Sequence, residues 1–309
     1  MFVFDEESVV QCVPQPVILD SRAGVSIRSM SKSDLQLVLD WSAKEGWNPG
    51  KHELEPFYAI NPKGYMLLTI DDEPVACLLN IRYSQNYAFM GLYIVQPKFR
   101  GKGYGKMLWD FVMNSLADCK TVGFSGVLGR VEDYKKSGFV PYGYDTRWYG
   151  LPVFPQNEVK SANHISIKKI TDILFEKLVD YDARVFAVRR ENFLVKWFAM
   201  SEAHALVAVD DNDVICGYGV ISATTEGYKI APLYAESESI AEKLFGSLCR
   251  CVGNIKTIYI DTAESNPSAA TLVRRAGLEK ILSTMRMYRG QPPETQNEKM
   301  FGLTALELG

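Results

Sequence analysis

The sequence predicts an α/β fold, a mixed central sheet flanked by helices, built twice in tandem. Three observations predict it. Short β-branched and aromatic runs alternate with segments of helical period. The whole pattern starts again after a proline-containing stretch that begins at Leu151. One glycine-rich turn stands between a strand and a helix, at Gly101, Gly103 and Gly105.

The chain has 309 residues, enough for two medium domains with real cores. Hydrophobic content is 47% and charged content 23%, as in ordinary globular proteins. A formal net charge of −3 argues against a surface built for nucleic-acid backbone. No apolar run approaches the ~18 residues of a membrane span. The start, Met1 to Glu7, lacks a basic region of the signal-peptide kind, so a cytoplasmic location is expected. The cysteines, Cys12, Cys77, Cys119, Cys216, Cys249 and Cys251, are scattered among mostly apolar neighbours and read as reduced thiols. Cys249 and Cys251 lie two apart on a predicted helix and face different directions. His52, His164 and His204 make no ligand spacing, so no metal site is expected.

In chain order, Val25 to Met30 reads as a strand after a loose leader. Ser31 and Asp34 make a capping box for a helix lined by Leu35, Val38 and Leu39. The loop Glu45 to Gly50 leads to a short helical stretch ending at Ile60. Tyr65 to Ile70 and Val75 to Tyr83 are strands around the turn Asp71 to Pro74. Ala88 to Val95 is an apolar, aromatic and β-branched run that reads as a buried strand, and Pro97 ends it. Next comes Arg100-Gly101-Lys102-Gly103-Tyr104-Gly105. Tyr104, Met107, Leu108, Phe111 and Val112 then recur at helical spacing, so a helix starts inside the glycine run. Thr121 to Val127 is a strand, Val131 to Ser137 a short helix ended by Gly138, and Phe139 to Tyr149 a strand.

A strand, a glycine turn and a helix start together make an anion site. The first turn of a helix presents unpaired N–H groups and the positive end of its dipole. Glycines allow close approach and positive φ, and Arg100 and Lys102 add charge suited to phosphates. The spacing fits neither a Walker loop, since Lys106 and Met107 follow the last glycine, nor the G-x-G-x-x-G of a dinucleotide fold.

The R-x-x-G-x-G pattern behind a strand ending Val95-Gln96-Pro97 resembles the pyrophosphate loop of the GNAT superfamily of acyl-CoA-dependent N-acetyltransferases. The element order of the N-terminal half agrees with that family. The resemblance implies acetyl-CoA as cofactor, bound by the backbone of Tyr93, Ile94 and Val95 and by Arg100, Gly101, Lys102, Gly103, Tyr104 and Gly105. It also implies a role for Tyr134, which stands in Tyr134-Lys-Lys-Ser-Gly-Phe139, similar to the family's Y-x-x-x-G-F signature. There the phenol lies near the cofactor sulfur and can protonate the departing thiolate as a general acid. Two positions depart from the family. The strand Phe89 to Tyr93 carries no carboxylate to act as base, which leaves His52, Glu53, Glu55 and Asp145 as candidates, and Val127 stands where many members have Asn. Trp47 and Asn48 either line the acceptor pocket or form a turn pinned by a buried tryptophan.

The second half repeats the first. Strands are expected at Ile165 to Ile170, Ala205 to Val209, Val214 to Ile221, Tyr228 to Leu233, Thr257 to Asp261 and Ile281 to Tyr288. Two helical stretches cover Asp172 to Met200. One further helix follows a capping box at Ser239 and Glu242, and another is opened by Asn266-Pro267. Asp71 and Asp210, Gly138 and Gly277, and Arg147 and Arg286 are each 139 positions apart, which fixes the repeat register. At that offset the glycine loop falls on Ser239 to Leu244, without glycine and with Glu236 and Glu238 before it, and Tyr134 falls on Val273.

The expectation is therefore two GNAT folds in tandem. Residues 1–150 form an acyl-CoA-binding, catalytic domain, 151–163 a linker, and 164–309 a GNAT-like domain without cofactor. The implied activity is transfer of an acetyl group to a primary amine of a small molecule or peptide. The alternative is a non-catalytic acyl-CoA-binding or scaffolding protein. Sequence leaves the acceptor and the oligomeric state open.

Overall fold

The structure, a computed structural model, describes residues 17–20, 24–153, 164–253 and 256–309. The first half contains β1 (Val17–Asp20), β2 (Val25–Ser29), α1 (Lys32–Lys44), α2 (Leu54–Ile60), β3 (Tyr65–Ile70), β4 (Glu73–Arg82), β5 (Tyr87–Val95), α3 (Tyr104–Ser115), β6 (Thr121–Val127), α4 (Val131–Lys136) and β7 (Val140–Gly150). The second contains β8 (Ser166–Lys169), α5 (Phe175–Phe186), α6 (Glu191–Phe198), β9 (Ala203–Val209), β10 (Ile215–Ala223), β11 (Tyr228–Ala235), α7 (Glu238–Val252), β12 (Ile258–Ala263), α8 (Pro267–Arg275), β13 (Glu279–Arg289) and β14 (Met300–Gly302). Of the expected linker only Leu151 to Val153 lies within the described residues, and Cys12 lies outside them.

The helix starts follow from local chemistry. Ser31 accepts from the Asp34 N–H while the Asp34 carboxylate accepts from the Ser31 N–H, the reciprocal box expected from sequence. Asn266 caps α8, with Pro267 in its first turn. The cap of α7 is Ser237, not Ser239. Ser237 is the last residue with extended backbone (φ −155°, ψ 162°), and its hydroxyl accepts from the Ile240 N–H. β1, in the stretch read as a loose leader, pairs with β2 at the sheet edge.

All the described strands join one sheet, in the order β1-β2-β3-β4-β5-β6-β13-β7-β12-β11-β10-β9-β8, with β14 on β11. The repeat register holds in space: β7 and β13 begin and end 139 positions apart. These two strands have changed places. β13 lies beside β6, and β7 lies beside β12, so each half completes its sheet with the other's last strand. Side-chain alternation along β4 sends Cys77, Leu79 and Ile81 to one core and Ala76 and Leu78 to another. The first of these cores is shared: α1 and α2 pack there with α5 and α6. On the opposite face α3 and α4 cover the first half, and α7 and α8 the second.

After β13 the chain forms β14 and then a buried tail. Tyr83 Oη donates to the Leu308 carbonyl at 2.6 Å. The tail passes over β5 at Gly91, where a Cβ would come within 2.6 Å of the Glu307 carbonyl oxygen. Glycine is needed there because the tail backbone takes the space of a side chain.

Cys77, Cys119 and Cys249 are buried thiols, Cys216 is partly buried and Cys251 exposed, and all five are free. No group of His, Cys, Asp or Glu suited to a metal ion occurs among the described residues, and no described helix is long and apolar enough to cross a membrane.

Candidate active site

The site begins where β5 and β6 part. Their parallel ladder runs from Tyr87↔Thr121 to Met90↔Phe124 and stops. Beyond it Leu92 has φ of 46°, and the register against β4 shifts between Cys77 and Leu79. A bulge of this kind bends its strand and adds twist. It turns Gly91 to Val95 away from β6, so Ile94 and Val95 keep their pairing with β4 while the stretch from Tyr93 to Val95 has no β6 partner across the gap.

The glycine loop lies at the open end of that gap. Gly101 and Gly103 have φ of 76° and 89°, and a Cβ on either would meet nothing within 4 Å. Gly103 is the N-cap of α3, and no side chain caps the helix start, so its first N–H groups face open space. Gly105 serves packing instead: a Cβ there would come within 2.6 Å of Tyr93 Oη. Tyr104 faces Phe99 edge-on, and the Lys102 ammonium lies 5.5 Å from the Phe99 ring. Arg100 donates from Nε to the Val95 carbonyl at 2.8 Å and is paired with Glu45. Its guanidinium is half-exposed beside the loop.

A cavity of about 280 Å³ passes through the sheet at the gap. Tyr134 stands at the α3/α4 end. Its ring packs edge-on against Phe124 (4.4 Å between centroids) and stacks on Trp109 (5.5 Å). Gly126 makes room, since a Cβ there would lie 2.6 Å from the Tyr134 ring. Burial pushes the Tyr134 phenol above its ordinary value, partly offset by Arg130. Burial and then Tyr134 push Tyr93 up to about 12. Both phenols therefore hold their protons at neutral pH.

The opposite end of the cavity is built largely by residues that sequence reasoning did not place there. β13 contributes Leu282, Ser283 and Thr284, and the tail contributes Leu306 and Glu307. Trp47 lines the cavity, and its carbonyl accepts from Arg147. Asn48 is not brought to the cavity. Its amide donates to Thr224 Oγ1 (3.2 Å) and the Glu226 carbonyl (3.0 Å) and accepts from the Glu226 N–H, which pins the loop to the second half. The four acid–base candidates are likewise engaged elsewhere. His52 bonds Glu202, and Glu55 bonds Lys32 at the surface. Glu53 is buried against Lys229 at 2.8 Å. Asp145 is buried against Arg286 (2.9 Å) and Ser125 (2.6 Å). The available signal for the tail was its composition: Phe301 to Leu308 is mostly apolar with one acid, a pattern of packed chain.

The corresponding gap in the second half is filled. The parallel ladder of β11 and β12 ends at Ile230↔Ile260, and β14 enters beyond it, pairing Leu233↔Gly302 and Tyr234↔Met300 across a register shift. The Leu303 N–H donates to the Asp261 carbonyl at 2.8 Å, and Asn266 holds the Met300 carbonyl at 3.1 Å. The carboxylates near the start of α7 are paired, Glu238 and Glu242 with the single Arg275 and Glu236 with Lys299. Closure of this gap rests on the inserted strand more than on the acidic charge noted in the sequence.

Comparison with known proteins agrees with this fold. Residues 34–139 match the model of the Acetyltransferase (GNAT) family, and residues 178–302 match that of an Acetyltransferase (GNAT) domain. Over 280 residues the chain is 31% identical to a holothin acyltransferase of Pseudoalteromonas sp. (strain SANK 73390), covering 90% of this chain and 92% of that protein. Among solved structures, a candidate acetyltransferase from Pyrococcus horikoshii superposes with a TM-score of 0.76 at 22% identity, over 93% of this chain and 96% of that one. A tandem GNAT protein from the clavulanic acid biosynthesis pathway superposes with a TM-score of 0.58 at 14% identity, over 87% of this chain and 99% of that one.

Proposed function

This chain belongs to the GNAT acetyltransferase family, and we propose that it transfers an acetyl group from acetyl-CoA to a primary amine of a small molecule or peptide, with Tyr134 as general acid. The observation that carries the reading is the cavity through the sheet, which joins the splayed β5 edge and Tyr134 to an acceptor side formed by Trp47 and β13. GNAT enzymes generally use acyl-CoA, and the residues present fit one. The edge of Tyr93 to Val95 can pair with the pantetheine amides as an added strand. The open space over Gly101 and Gly103, with the uncapped start of α3, suits a pyrophosphate. Lys102 supplies positive charge beside it, and Arg100, half-exposed and paired with Glu45, stands next to the loop.

When bound, acetyl-CoA supplies a thioester carbonyl for the amine to attack and a thiolate to leave. The work of the chain is positional. Tyr134 Oη, kept protonated by its buried setting, offers a proton at the cavity. Trp109 and Phe124 fix the ring, and the aromatic walls exclude water. We assign residues 1–150 as the catalytic unit and residues 164–309 as the unit that supplies the acceptor wall. The relative's name specifies acyl rather than acetyl transfer, so a longer acyl group is the natural second donor to try.

A panel of primary amines incubated with acetyl-CoA, with free thiol as readout, tests the reading. Turnover with at least one amine is expected. Tight CoA binding without turnover across the panel and across longer acyl-CoAs would instead support a binding or scaffolding role.

A further inference from the structure

We infer that Glu307, carried into the cavity by the C-terminal tail of the second half, is the group that binds the acceptor as an ammonium ion and takes its proton. The inference rests on amine acylation as proposed above and names the base for it. Two carboxylate residues line the cavity, Glu45 and Glu307. Glu45 is paired with Arg100. Glu307 enters none of the hydrogen bonds or ion pairs found among the described residues, and it is placed at the bulge of β5 because Gly91 leaves room for its backbone. It also lines the small void on the α1/α2 side, beside Glu53, Arg147 and Lys229.

The charge count around Glu307 points to a cation. The charged groups facing it are Lys229 from β11, Arg147 from β7, Glu53 from the turn before α2 and Asp261 from β12. Lys229 is already bonded to Glu53 at 2.8 Å. Arg147 is already bonded to Asp261 at 2.7 Å. Three carboxylates thus stand against two cations, each cation committed to one of the other two acids. The cluster is one positive charge short, and an ammonium ion in the cavity completes it. Leu92, Leu282, Leu306 and Trp47 on the acceptor side suit an apolar body behind that ammonium, with Ser283 and Thr284 as the polar side chains of the same wall.

The proton step is simple. An N–H bond of the ammonium breaks, an O–H bond forms at a Glu307 carboxylate oxygen, and the electron pair stays on nitrogen as the nucleophile. The proton then passes to solvent water. Burial pushes the Glu307 carboxyl above its ordinary value, Lys229 and Arg147 pull it down, and Glu53 and Asp261 push it up, for a net rise. A raised value makes the carboxylate a stronger base near neutral pH.

Glu307→Gln keeps the shape and removes the charge. Calorimetry of the CoA-free protein would compare 2-phenylethylamine with 2-phenylethanol, which has the same body without the charge. The native protein should prefer the amine by at least about tenfold, as expected for a charge-assisted pair. Glu307→Gln should lose that preference, and Glu307→Asp should keep part of it. With a turned-over amine, Glu307→Gln should lower kcat/KM at neutral pH by about 10²–10⁴, a deficit that shrinks as pH rises toward the amine's own pKa. Unchanged CoA binding would show that the fold is intact. A native protein without preference for the amine, or a Glu307→Gln variant with native kcat/KM and pH profile, overturns the inference while leaving amine acylation standing. Absence of turnover in the native protein over all amines removes the functional reading instead.

Discussion

Arg147 on β7 grips Asp261 on β12 with two bonds of 2.7 Å, Nε to Oδ1 and Nη2 to Oδ2. Both side chains are almost wholly buried, at 4% and 1% exposure. The pair ties the last strand of the first half into the sheet of the second, and Trp148 Nε1 adds a bond to Thr262 Oγ1 at 2.9 Å. On the other side of β7, Asp145 accepts from Arg286 of β13 at 2.9 Å. The exchanged strands are thus held by two buried ion pairs. Removing one member leaves the other charge buried and unpaired, which typically costs about 3–5 kcal/mol. Asp145→Ala, which would leave the buried Arg286 without a carboxylate, is expected to lose that much in urea denaturation. Because the sheet is continuous across both halves, unfolding is expected as one transition. A loss below about 1 kcal/mol, or two separate transitions, would show that the exchange does not couple the halves.

Gly103→Glu tests the phosphate loop. The residue has φ of 89°, which costs a non-glycine side chain about 1–2 kcal/mol. A side chain there meets only open space, so the fold should survive. The added carboxylate lies where the pyrophosphate is proposed to approach, and CoA binding is expected to vanish in calorimetry. Normal binding would place the cofactor elsewhere.

Tyr134→Phe keeps the ring that packs on Phe124 and Trp109 and removes the proton. Positioned acids are typically worth about 10²–10⁴ in rate, so kcat should fall by that order with CoA affinity unchanged. The pH profile carries a second sign. An acid must be protonated to act, and burial raises the Tyr134 phenol above its ordinary value of about 10. Loss of activity through this group is therefore expected only above that value, as pH rises. Wild-type kcat in the variant, with chemistry rate-limiting, would reduce Tyr134 to a packing role.

Much of the fold was legible because it is local chemistry. Ser31 with Asp34, Asn266 with Pro267, and the glycines at 101 and 103 declare helix starts and a tight turn directly. The spacing of Arg147 and Arg286 declared the repeat. The exchange of β7 and β13 was not legible for the same reason. At equal offsets the two strands carry the same Arg-x-Tyr pattern, and alternation says which face a side chain takes, not which strand lies beside it. The glycine loop and Tyr134 are contiguous motifs, so sequence alone could single them out, and the structure brings both to the gap between β5 and β6. Glu307 is separated in sequence from every other cavity residue except Leu306, and its position depends on a glycine, Gly91, that reads as an ordinary strand interruption.

The stoichiometry of CoA binding follows from the tail. Two GNAT folds offer two gaps in one sheet, at β5/β6 and β11/β12. The first is open and carries the glycine loop. The second holds β14, with the Leu303 N–H on the Asp261 carbonyl and the Met300 carbonyl on Asn266. A ligand entering there would have to expel Met300, Phe301 and Leu303 and drag the buried Leu306 and Leu308 with them. At about 1.5–3 kcal/mol for each exposed side chain, that costs on the order of 8 kcal/mol or more. Micromolar affinity is itself worth only about 8 kcal/mol. The α7 start offers no compensation, since Ser237 caps it and Arg275 is already spent on Glu238 and Glu242. One CoA per chain is expected by titration calorimetry, and none in Gly103→Glu. Two sites per chain, or a site surviving Gly103→Glu, would mean that the tail leaves its slot and that the second half binds cofactor after all.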